Sequence, residues 1–233
     1  VWGYHQDHDR WVQACTTWAE AGAPLANPAA TLRWNADKRY LARLAEKGVA
    51  VPETIFADHV DAAVLEAAFA ATGAETLIVK PTVSGGAWRT LRVAAGDLLD
   101  AALADAPVGG TMIQPYLKAI ETEGETSLLY FGGELSHVVN KRPGAAGEFR
   151  IQTQYGGRYQ ALKAAPQGAL DLAERTLAAI DEDLLYARID MTKDDDGDWV
   201  LMEAELIEPD FYLAAAPEAG ARFGQAVRAR LER

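Results

Sequence analysis

The chain of 233 residues contains little cysteine, little positive charge and no long apolar run. Its single cysteine, Cys15, excludes an internal disulfide and any metal site built from several thiolates. Lysine and arginine number 22 against 34 aspartates and glutamates, and the net charge of −12 disfavours binding to nucleic acid or to anionic membranes. The most apolar stretch, residues 62–71, contains Glu66 and is far shorter than the roughly 20 residues of a membrane span.

The overall composition is that of a soluble globular protein with a sizeable core, because hydrophobic residues make up 49% of the chain and charged residues 24%. The chain begins at Val1, and no signal-like segment follows. We therefore expect a fragment of a cytoplasmic protein whose preceding residues, now missing, carry part of a substrate site.

Helix and strand signals predict an α+β architecture with a cleft between two lobes. In the first part, Asn27 and Asn35 are expected to cap helices, residues 76–79 and 90–93 to form a hairpin, and Gly109-Gly110 to mark a boundary. The second part predicts antiparallel strands over 112–116, 126–131, 134–140, 184–191 and 199–206, with helices over 170–180 and 219–231.

Three acidic residues fall on one face of a predicted hairpin. Asp196-Gly197 is a strong signal for a two-residue turn, because both residues accept the left-handed backbone that such turns need. Pairing outward from this turn places Asp190 opposite Glu203, and the strand period of two places Glu205 on the same face. Opposed like charges about 5 Å apart repel, so the arrangement predicts a cation, and Mg²⁺ suits a few carboxylates together with phosphate oxygens. The other face is predicted to form core, with Val200, Met202, Ala204 and Leu206.

Two other interpretations of the acidic segment stay open. A charge run usually forms a solvated face, in which case it binds no ion. Asp194, Asp196 and Glu203 also approach calcium-loop spacing, but Thr192 occupies the first ligand position and both flanks resemble strands rather than helices.

A loop of small residues follows an apolar strand in the segment L-I-V-K-P-T-V-S-G-G-A, residues 77–87. The backbone N–H groups of Ser84, Gly85 and Gly86 can approach phosphate oxygens closely because no bulky side chain intervenes, and Lys80 adds a point charge. Taken alone, the loop is also typical of a plain hairpin connection, and Lys38 of a surface lysine. Together with the acidic cluster, these residues predict a site for nucleotide phosphates.

Several segments occur in an order that resembles the ATP-grasp superfamily, most clearly its glutathione-synthetase-like branch. They are N-P-A-A-T-L-R-W-N-A-D-K (27–38), I-V-K-P-T-V-S-G-G-A (78–87), M-I-Q-P-Y-L-K-A-I (112–120), G-E-T-S-L-L-Y-F-G-G-E-L (124–135), N-K-R-P-G-A-A-G-E-F-R-I-Q-T-Q-Y-G-G (140–157) and the acidic hairpin. The resemblance implies a remnant of an N-terminal pre-ATP-grasp domain at 1–26, a first lobe with a phosphate lid at 27–110, and a second lobe with an antiparallel sheet and metal site at 111–233. The segments Q-P-Y-L, T-E-G-E-T and F-G-G-E-L-S-H are also similar to the cycloserine-forming subgroup of O-ureido-serine cyclo-ligases.

The resemblance implies a role for each motif residue. The implied metal ligands are Asp190, Glu203 and Glu205, the last standing where asparagine is common in the family, which makes the site more acidic. In the basic segment, Arg142 and Arg150 are the implied catalytic contacts of the transferred phosphate, and Lys141 competes with Arg142. The implied ATP contacts are Lys38, Lys80, Ser84, Gly85, Gly86, Gln114, Tyr116, Leu117 and Glu125, with Glu123 as the alternative to Glu125.

The implied activity is that of an ADP-forming ligase that needs ATP and Mg²⁺, with Mn²⁺ as an alternative ion. It would join a small amino-acid-like carboxylate to an amine through an acylphosphate, so its partners would be small molecules, and a homo-oligomer stays open. An ATP-grasp kinase and a non-catalytic ATP-binding module are the alternatives.

Outside these motifs the sequence predicts no nucleophile. Cys15 lies on a helical packing stripe and His137 within a strand, so neither belongs to a Ser–His–Asp or Cys–His arrangement. The residues His5, Asp7, His8 and Asp9 are interpreted as solvated polar groups rather than as a second metal site.

Overall fold

A computed structural model of the chain describes residues 3–145 and 147–232. Val1, Trp2, Ala146 and Arg233, which fall inside the predicted segments 1–26 and 111–233, lie outside the described residues. The helices are α1 (His8–Glu20), α2 (Ala29–Asn35), α3 (Tyr40–Glu46), α4 (Ala62–Thr72), α5 (Leu99–Ala102), α6 (Ala119–Thr122), α7 (Gln167–Ile180) and α8 (Ala219–Leu231). The strands are β1 (Ile55–Ala57), β2 (Thr76–Pro81), β3 (Leu91–Ala94), β4 (Thr111–Pro115), β5 (Glu125–Phe131), β6 (Glu134–Arg142), β7 (Arg158–Leu162), β8 (Tyr186–Lys193) and β9 (Trp199–Glu205).

The strands form two antiparallel sheets, which confirms the α+β class. The first sheet has the order β1-β4-β2-β3 and the second the order β7-β6-β5-β8-β9. The predicted hairpin partners β2 and β3 pair as expected, from Thr76 opposite Ala94 to Val79 opposite Leu91. Strand β7 was not predicted, because it is only five residues long and mostly exposed, and so gives a weak strand signal.

Strand β4 belongs to the first sheet, and its predicted place in the second sheet is wrong. It pairs with both β1 and β2, so a lobe boundary at residue 110 would divide the first sheet. Met112 and Ile113 are both fully buried, one in each of two separate hydrophobic clusters. A strand buried on both faces lacks the alternation that would show which sheet it joins.

The main core lies between the second sheet and helices α3 and α7. Leu41, Leu172, Ile189 and Leu201 meet there, each with at most 1% of its surface exposed. A separate cluster packs α4 on the first sheet through Leu65 and Leu77. On the opposite face of the central strands β5 and β8, α8 covers β5 around Phe131, and side chains farther along that face, among them Arg188 and Asp190, line a cleft.

Asn27 and Asn35 do not cap helices as predicted. Asn27 is buried and its amide donates to the carbonyls of Tyr186 and Leu206. Asn35, the last residue of α2, donates to the carbonyl of Ala204 and accepts from the backbone N–H of Leu206. A buried asparagine can satisfy four hydrogen-bonding sites, and here both side chains join the start of the chain to β8 and β9.

Cys15 is buried beside Trp11, which confirms the predicted packing stripe of α1. His137 contacts the carbonyl of Phe211 at 2.8 Å and lies on β6, where its role is structural. None of the helices within the described ranges is both long and apolar enough to cross a membrane.

Candidate active site

The β8–β9 hairpin pairs Asp190 with Glu203, as the sequence predicts, but the turn is longer than predicted and a bulge compensates for it. The turn is one residue longer than the predicted two-residue form, because the backbone N–H of Asp194 bonds to the carbonyl of Asp198 at 2.9 Å. Lys193 therefore pairs with Trp199. A β-bulge between Asp190 and Met191 then shifts the register by one residue and restores the predicted pairing.

The bulge changes which β9 side chains face the core. Leu201, not Met202, is fully buried in the main core, and Met202 lines the cleft instead. Ala204 and Leu206, beyond the bulge, occupy the core as predicted. Val200 is buried as predicted, although outside the main cluster, and the predicted core position Met202 is wrong because the bulge places Leu201 in the core instead.

A cavity of about 540 Å³ lies between the two sheets. The first sheet and its loop contribute one wall and the second sheet the other. The predicted site residues that line it are Lys38, Lys80, Ser84, Gly85, Gly86, Gln114, Tyr116, Leu117, Glu125, Lys141, Arg150, Asp190, Glu203 and Glu205. The interpretation of the acids as a solvated face is wrong for Asp190, which is 2% exposed, and the calcium-loop alternative fails because strands flank the turn.

Arg142 is the predicted residue that the structure places outside the cavity. Its side chain is exposed and donates to Asn140 at 3.1 Å. Lys141 faces the cleft instead, because alternate side chains of β6 point to opposite faces of the sheet. Glu123, the alternative to Glu125, also lies outside and forms an ion pair with Lys193 at 2.8 Å.

Lys38 sits in the turn between α2 and α3. Asn35 and Tyr40, on either side of it, both bond to the backbone of β9 at Ala204, which fixes Lys38 beside Glu203. The Lys38 ammonium donates to Glu203 and also to the carbonyl of Ser84 at 3.3 Å. Burial by itself would lower the pKa of Lys38, but the Glu203 carboxylate outweighs it and raises the pKa overall.

Lys141 forms a second buried ion pair. Its ammonium contacts Glu125 and lies 3.2 Å from Asp190. These two carboxylates outweigh the burial of Lys141 and raise its pKa, whereas burial raises the pKa of Glu125 despite the nearby ammonium. These contacts fix the positions of the Lys141, Glu125 and Asp190 side chains on the wall of the cavity.

Arg188 is a site residue that the sequence reasoning missed. It precedes Asp190 by two positions on β8, so it shares the cleft face, and this period-two signal could have revealed it. Its guanidinium contacts Glu205, lies 2.9 Å from an oxygen of Asp190 and also donates to the carbonyl of Asp210. Burial opposes the charge of Asp190, but Arg188 and Lys141 bring its pKa down to about 2, whereas burial raises the pKa of Glu205 to about 7.

Two tyrosines that sequence reasoning also missed complete this end of the cavity. Tyr212 lies with its ring under Arg188 and Lys141, 5.1 and 5.5 Å from the two cationic groups. Its φ of 51° is unusual for a bulky residue and is held by a bond from its N–H to Asp210. Tyr4, before α1, packs on Trp11, and burial raises its pKa to about 12, so it stays neutral.

Lys80 differs from the other cleft cations because it makes no hydrogen bond or ion pair within the described ranges. It lies on β2, and its alternation with the fully buried Val79 directs it into the cavity. Burial and the charge of Lys38 lower the pKa of Lys80 to about 8. A half-buried ammonium without a counter-ion favours an anionic ligand.

The loop between β2 and β3, residues 82–90, forms a rim of the cavity. Ser84 is buried and its hydroxyl bonds to the carbonyl of Pro81. Gln154 donates to the carbonyl of Gly86 at 3.3 Å, so the second half of the chain touches the loop. His5, predicted to be solvated, packs on Trp88 instead, with 5.8 Å between ring centroids.

The other end of the cavity is more apolar. Gln114 is buried and donates to Thr54 at 2.8 Å, and Leu117 is 8% exposed. The Tyr116 hydroxyl donates to Glu121 at 2.6 Å while Arg92 lies over its ring. Ile78, Leu117 and Ile120 also line this end, and such apolar side chains can hold a planar ring beside the backbone after β4.

The acidic residues fit a hard divalent cation in part. Within residues 3–145 and 147–232, no three metal-binding side chains converge closely enough to hold an ion as they stand. Both oxygens of Asp190 already accept hydrogen bonds, from Ser127 and Arg188. Glu203 and Glu205 use only one oxygen each, with 30% and 29% of their side chains exposed, and such oxygens are the donors Mg²⁺ prefers.

The fold matches that of solved ATP-grasp ligases. D-alanine–D-alanine ligase from Bacillus anthracis superposes with a TM-score of 0.72 at 19% identity, over 93% of this chain and 73% of that one. The ATP-grasp ligase PsnB, in complex with a minimal precursor, gives 0.65 at 17% identity, over 94% of this chain and 70% of that one. No model of a known protein family matches the chain. These similarities show that the chain has the ATP-grasp fold.

A more similar relative shows the family. The chain is 32% identical over 229 residues to the cycloserine biosynthesis protein DcsG of Streptomyces lavendulae, covering 89% of this chain and 74% of that protein. The crystal structure of the D-cycloserine synthetase DcsG superposes with a TM-score of 0.84 at 28% identity, over 99% of this chain and 81% of that one. The chain therefore belongs to the ATP-grasp superfamily, and it is an ATP-dependent ligase.

Proposed function

We propose that the enzyme activates the carboxylate of a small amino-acid derivative as an acylphosphate, which an amine then attacks to form a C–N bond. One observation carries this proposal: Lys80 of the first wall, Lys38 of the α2–α3 turn and the acids of the second wall line the same cavity. Such a cavity can hold a polyphosphate between its walls. The similarity to cycloserine synthetase supports a small amino-acid substrate.

ATP would lie with its base at the Gln114–Leu117 end and its phosphates at the lysine end. Lys80 supplies the charge that it does not use within the protein, and the N–H groups of Ser84, Gly85 and Gly86 lie on the same side of the cavity. Glu203 and Glu205, with Asp190 behind them, would hold Mg²⁺, which supplies neutralisation of the phosphate charge. Asp190 could join them only by releasing a bond from Arg188 or Lys141.

The cationic side chains of the second wall can stabilise the negative charge that develops during phosphoryl transfer and amine attack. Phosphoryl transfer needs little covalent chemistry from the protein, and catalysis is mostly positioning and electrostatic stabilisation. Arg188 is the most buried guanidinium of the cavity and is held by Asp190 and Glu205, so it can stabilise a tetrahedral oxyanion without rearranging. Arg150, stacked 3.7 Å above the Tyr155 ring, and Lys141 are the other candidates.

The proposal predicts that Lys80→Ala and Glu203→Gln each abolish ATP turnover while the protein stays folded. Lys80 has no partner to leave unpaired, and glutamine keeps the shape of Glu203 while removing the charge that would hold the metal. Steady-state ADP release and circular dichroism of each variant test this, with the exposed pair Lys118→Ala and Glu75→Gln as matched controls.

Three results would contradict the proposal. Turnover at the wild-type rate in either site variant would remove the assigned roles. ADP formation without any amine requirement would favour a kinase. Calorimetric binding of ATP with no ADP release across a broad substrate panel would favour a non-catalytic binding module.

A further inference from the structure

Glu208 is an acidic residue of the cavity that the proposed phosphate chemistry does not use. Glu208 lies three residues beyond β9, lines the cavity and is half-buried. Four other cavity carboxylates have a cation partner: Glu125 and Asp190 contact Lys141, Glu203 contacts Lys38, and Glu205 contacts Arg188. Within the described residues Glu208 has neither an ion pair nor a hydrogen bond.

Without a counter-ion, the partly buried Glu208 carboxylate carries an unfavourable desolvation free energy. Removing a carboxylate from water is costly unless a cation or hydrogen-bond donors replace the water. Burial raises the pKa of Glu208, and the neighbouring Glu203 raises it further while Arg188 lowers it. A cationic ligand group would remove this penalty.

Glu208 lies at the end of the cavity where Arg188 is held, rather than at the end assigned to the base, because Arg188 contacts both Glu205 and the carbonyl of Asp210, on either side of Glu208 in the chain. Arg188, Glu203 and Lys38, which surround the proposed phosphate site, are among the charges that act on Glu208. Tyr4 is nearby as well, since Glu208 contributes to its raised pKa. A substrate whose carboxylate meets the transferred phosphate would therefore extend past Arg188 toward Glu208 and Tyr4.

Asp210, the next acidic residue along the chain, is less suited than Glu208 to bind a cationic ligand group. It is exposed, and one of its oxygens already accepts from the N–H of Tyr212 at 2.7 Å. Its backbone carbonyl accepts a hydrogen bond from Arg188. Asp210 thus holds the loop in shape, while Glu208 keeps both oxygens for a ligand.

We propose that Glu208 binds the ammonium group of the substrate whose carboxylate is phosphorylated, and so selects amino acids over acids without an amino group. This assignment rests on the proposed function and names the substrate feature that the cavity recognises. It makes Glu208 a specificity-determining residue.

The test uses wild-type enzyme and Glu208→Gln with ATP, Mg²⁺ and hydroxylamine, which captures an activated carboxylate as a hydroxamate. The acids are α-amino acids of both configurations, including serine and O-substituted serines, each with its counterpart that lacks the amino group. A charge-assisted hydrogen bond at such a site corresponds to roughly 10- to 100-fold in binding. We therefore expect Glu208→Gln to raise the KM of an amino acid by about that factor and to leave the KM of ATP unchanged.

The analogue without the amino group separates this role from a structural one. It should have the same raised KM with the wild-type enzyme as with Glu208→Gln, because either change removes the same contact. The exposed Glu182→Gln serves as the matched control and should match wild type throughout. Thermal unfolding of Glu208→Gln should be unchanged or shifted upward, since the variant loses an unpaired charge.

The outcomes separate the two proposals. If no acid of the panel yields a hydroxamate with the wild-type enzyme, the proposed function is wrong, and the assignment of Glu208 with it. If wild type forms hydroxamates and Glu208→Gln has the same KM for them, only the assignment of Glu208 is overturned. An equal loss for amino acids and their analogues would show a structural role and would also overturn it.

Discussion

Lys38 and Lys80 line the same cavity, but their surroundings shift their pKa values in opposite directions. Burial disfavours the charge of both, yet only Lys38 has a carboxylate, Glu203, in contact. Lys80 has a pKa of about 8 and feels the repulsion of Lys38. A charge that the fold leaves unpaired is a better marker of a ligand site than a charge that the fold neutralises.

This difference predicts a pH dependence of ATP binding. Above about pH 8 the free enzyme has lost the Lys80 proton, and phosphate charges would restore it on binding. ATP binding should therefore take up a proton at pH 8.5, and its affinity should fall as the pH rises through 8. Titration calorimetry in two buffers of different ionisation enthalpy measures the uptake.

Lys80→Arg provides the matched control, because a guanidinium stays protonated throughout this range. The proton uptake should disappear in this variant, while Lys118→Arg, on an exposed lysine, should keep it. Undiminished uptake in Lys80→Arg would mean that another group titrates.

Among the elements of the fold, β9 shows how a bulge decides which of two neighbouring side chains faces the core and which faces the cavity. It directs Leu201 into the main core and Met202 into the cavity, while Glu203 keeps its place opposite Asp190. An uninterrupted ladder from a two-residue turn would have exchanged the two apolar residues.

Alanine substitutions distinguish the two registers. Leu201→Ala removes a fully buried side chain and should lower the free energy of unfolding by about 2–5 kcal/mol. Met202→Ala should cost less than about 1 kcal/mol but weaken ATP binding, since Met202 lines the cavity. Urea unfolding and calorimetry of both variants measure these effects, and the reverse pattern would refute the bulged register.

At the scale of the whole molecule, the cavity joins elements that are distant in sequence. Its first wall comes from β2, β4 and the loop at 82–90, and its second wall from β5, β6, β8 and β9. A ligand that contacts both walls adds contacts between the two sheets that the free protein lacks. Such a ligand stabilises the folded state in proportion to the logarithm of its concentration.

A non-hydrolysable ATP analogue with Mg²⁺ should therefore raise the melting temperature. At a concentration about 100 times its Kd, the expected stabilisation is about 2.7 kcal/mol, or roughly 5–10 °C for a chain of this size. Thermal unfolding with excess EDTA should show a smaller shift, and Glu203→Gln should respond little to Mg²⁺. Equal shifts with Mg²⁺ and with EDTA would contradict a metal at the acidic residues.

Periodicity and composition were enough to predict much of the site. Strand alternation placed Asp190, Glu203 and Glu205 on one face, and the same rule would have favoured Lys141 over Arg142 and revealed Arg188. Helix α8 begins and ends where its pattern predicts. These features depend on neighbours within a few residues, which is the range over which backbone geometry repeats.

The order of residues alone thus specifies which chemical groups are present and, wherever a strand or helix is regular, the side toward which each group points. Long-range packing selects which of these groups meet, and the bulge that directs Met202 into the cavity departs from the regular pattern. Asn35 and Tyr40 hold the α2–α3 turn against β9, and Lys38 and Glu203 meet across 165 positions of the chain. Such contacts arise from the packing of whole elements, and the free energy that selects one packing over another is shared among many residues, none of which signals it alone.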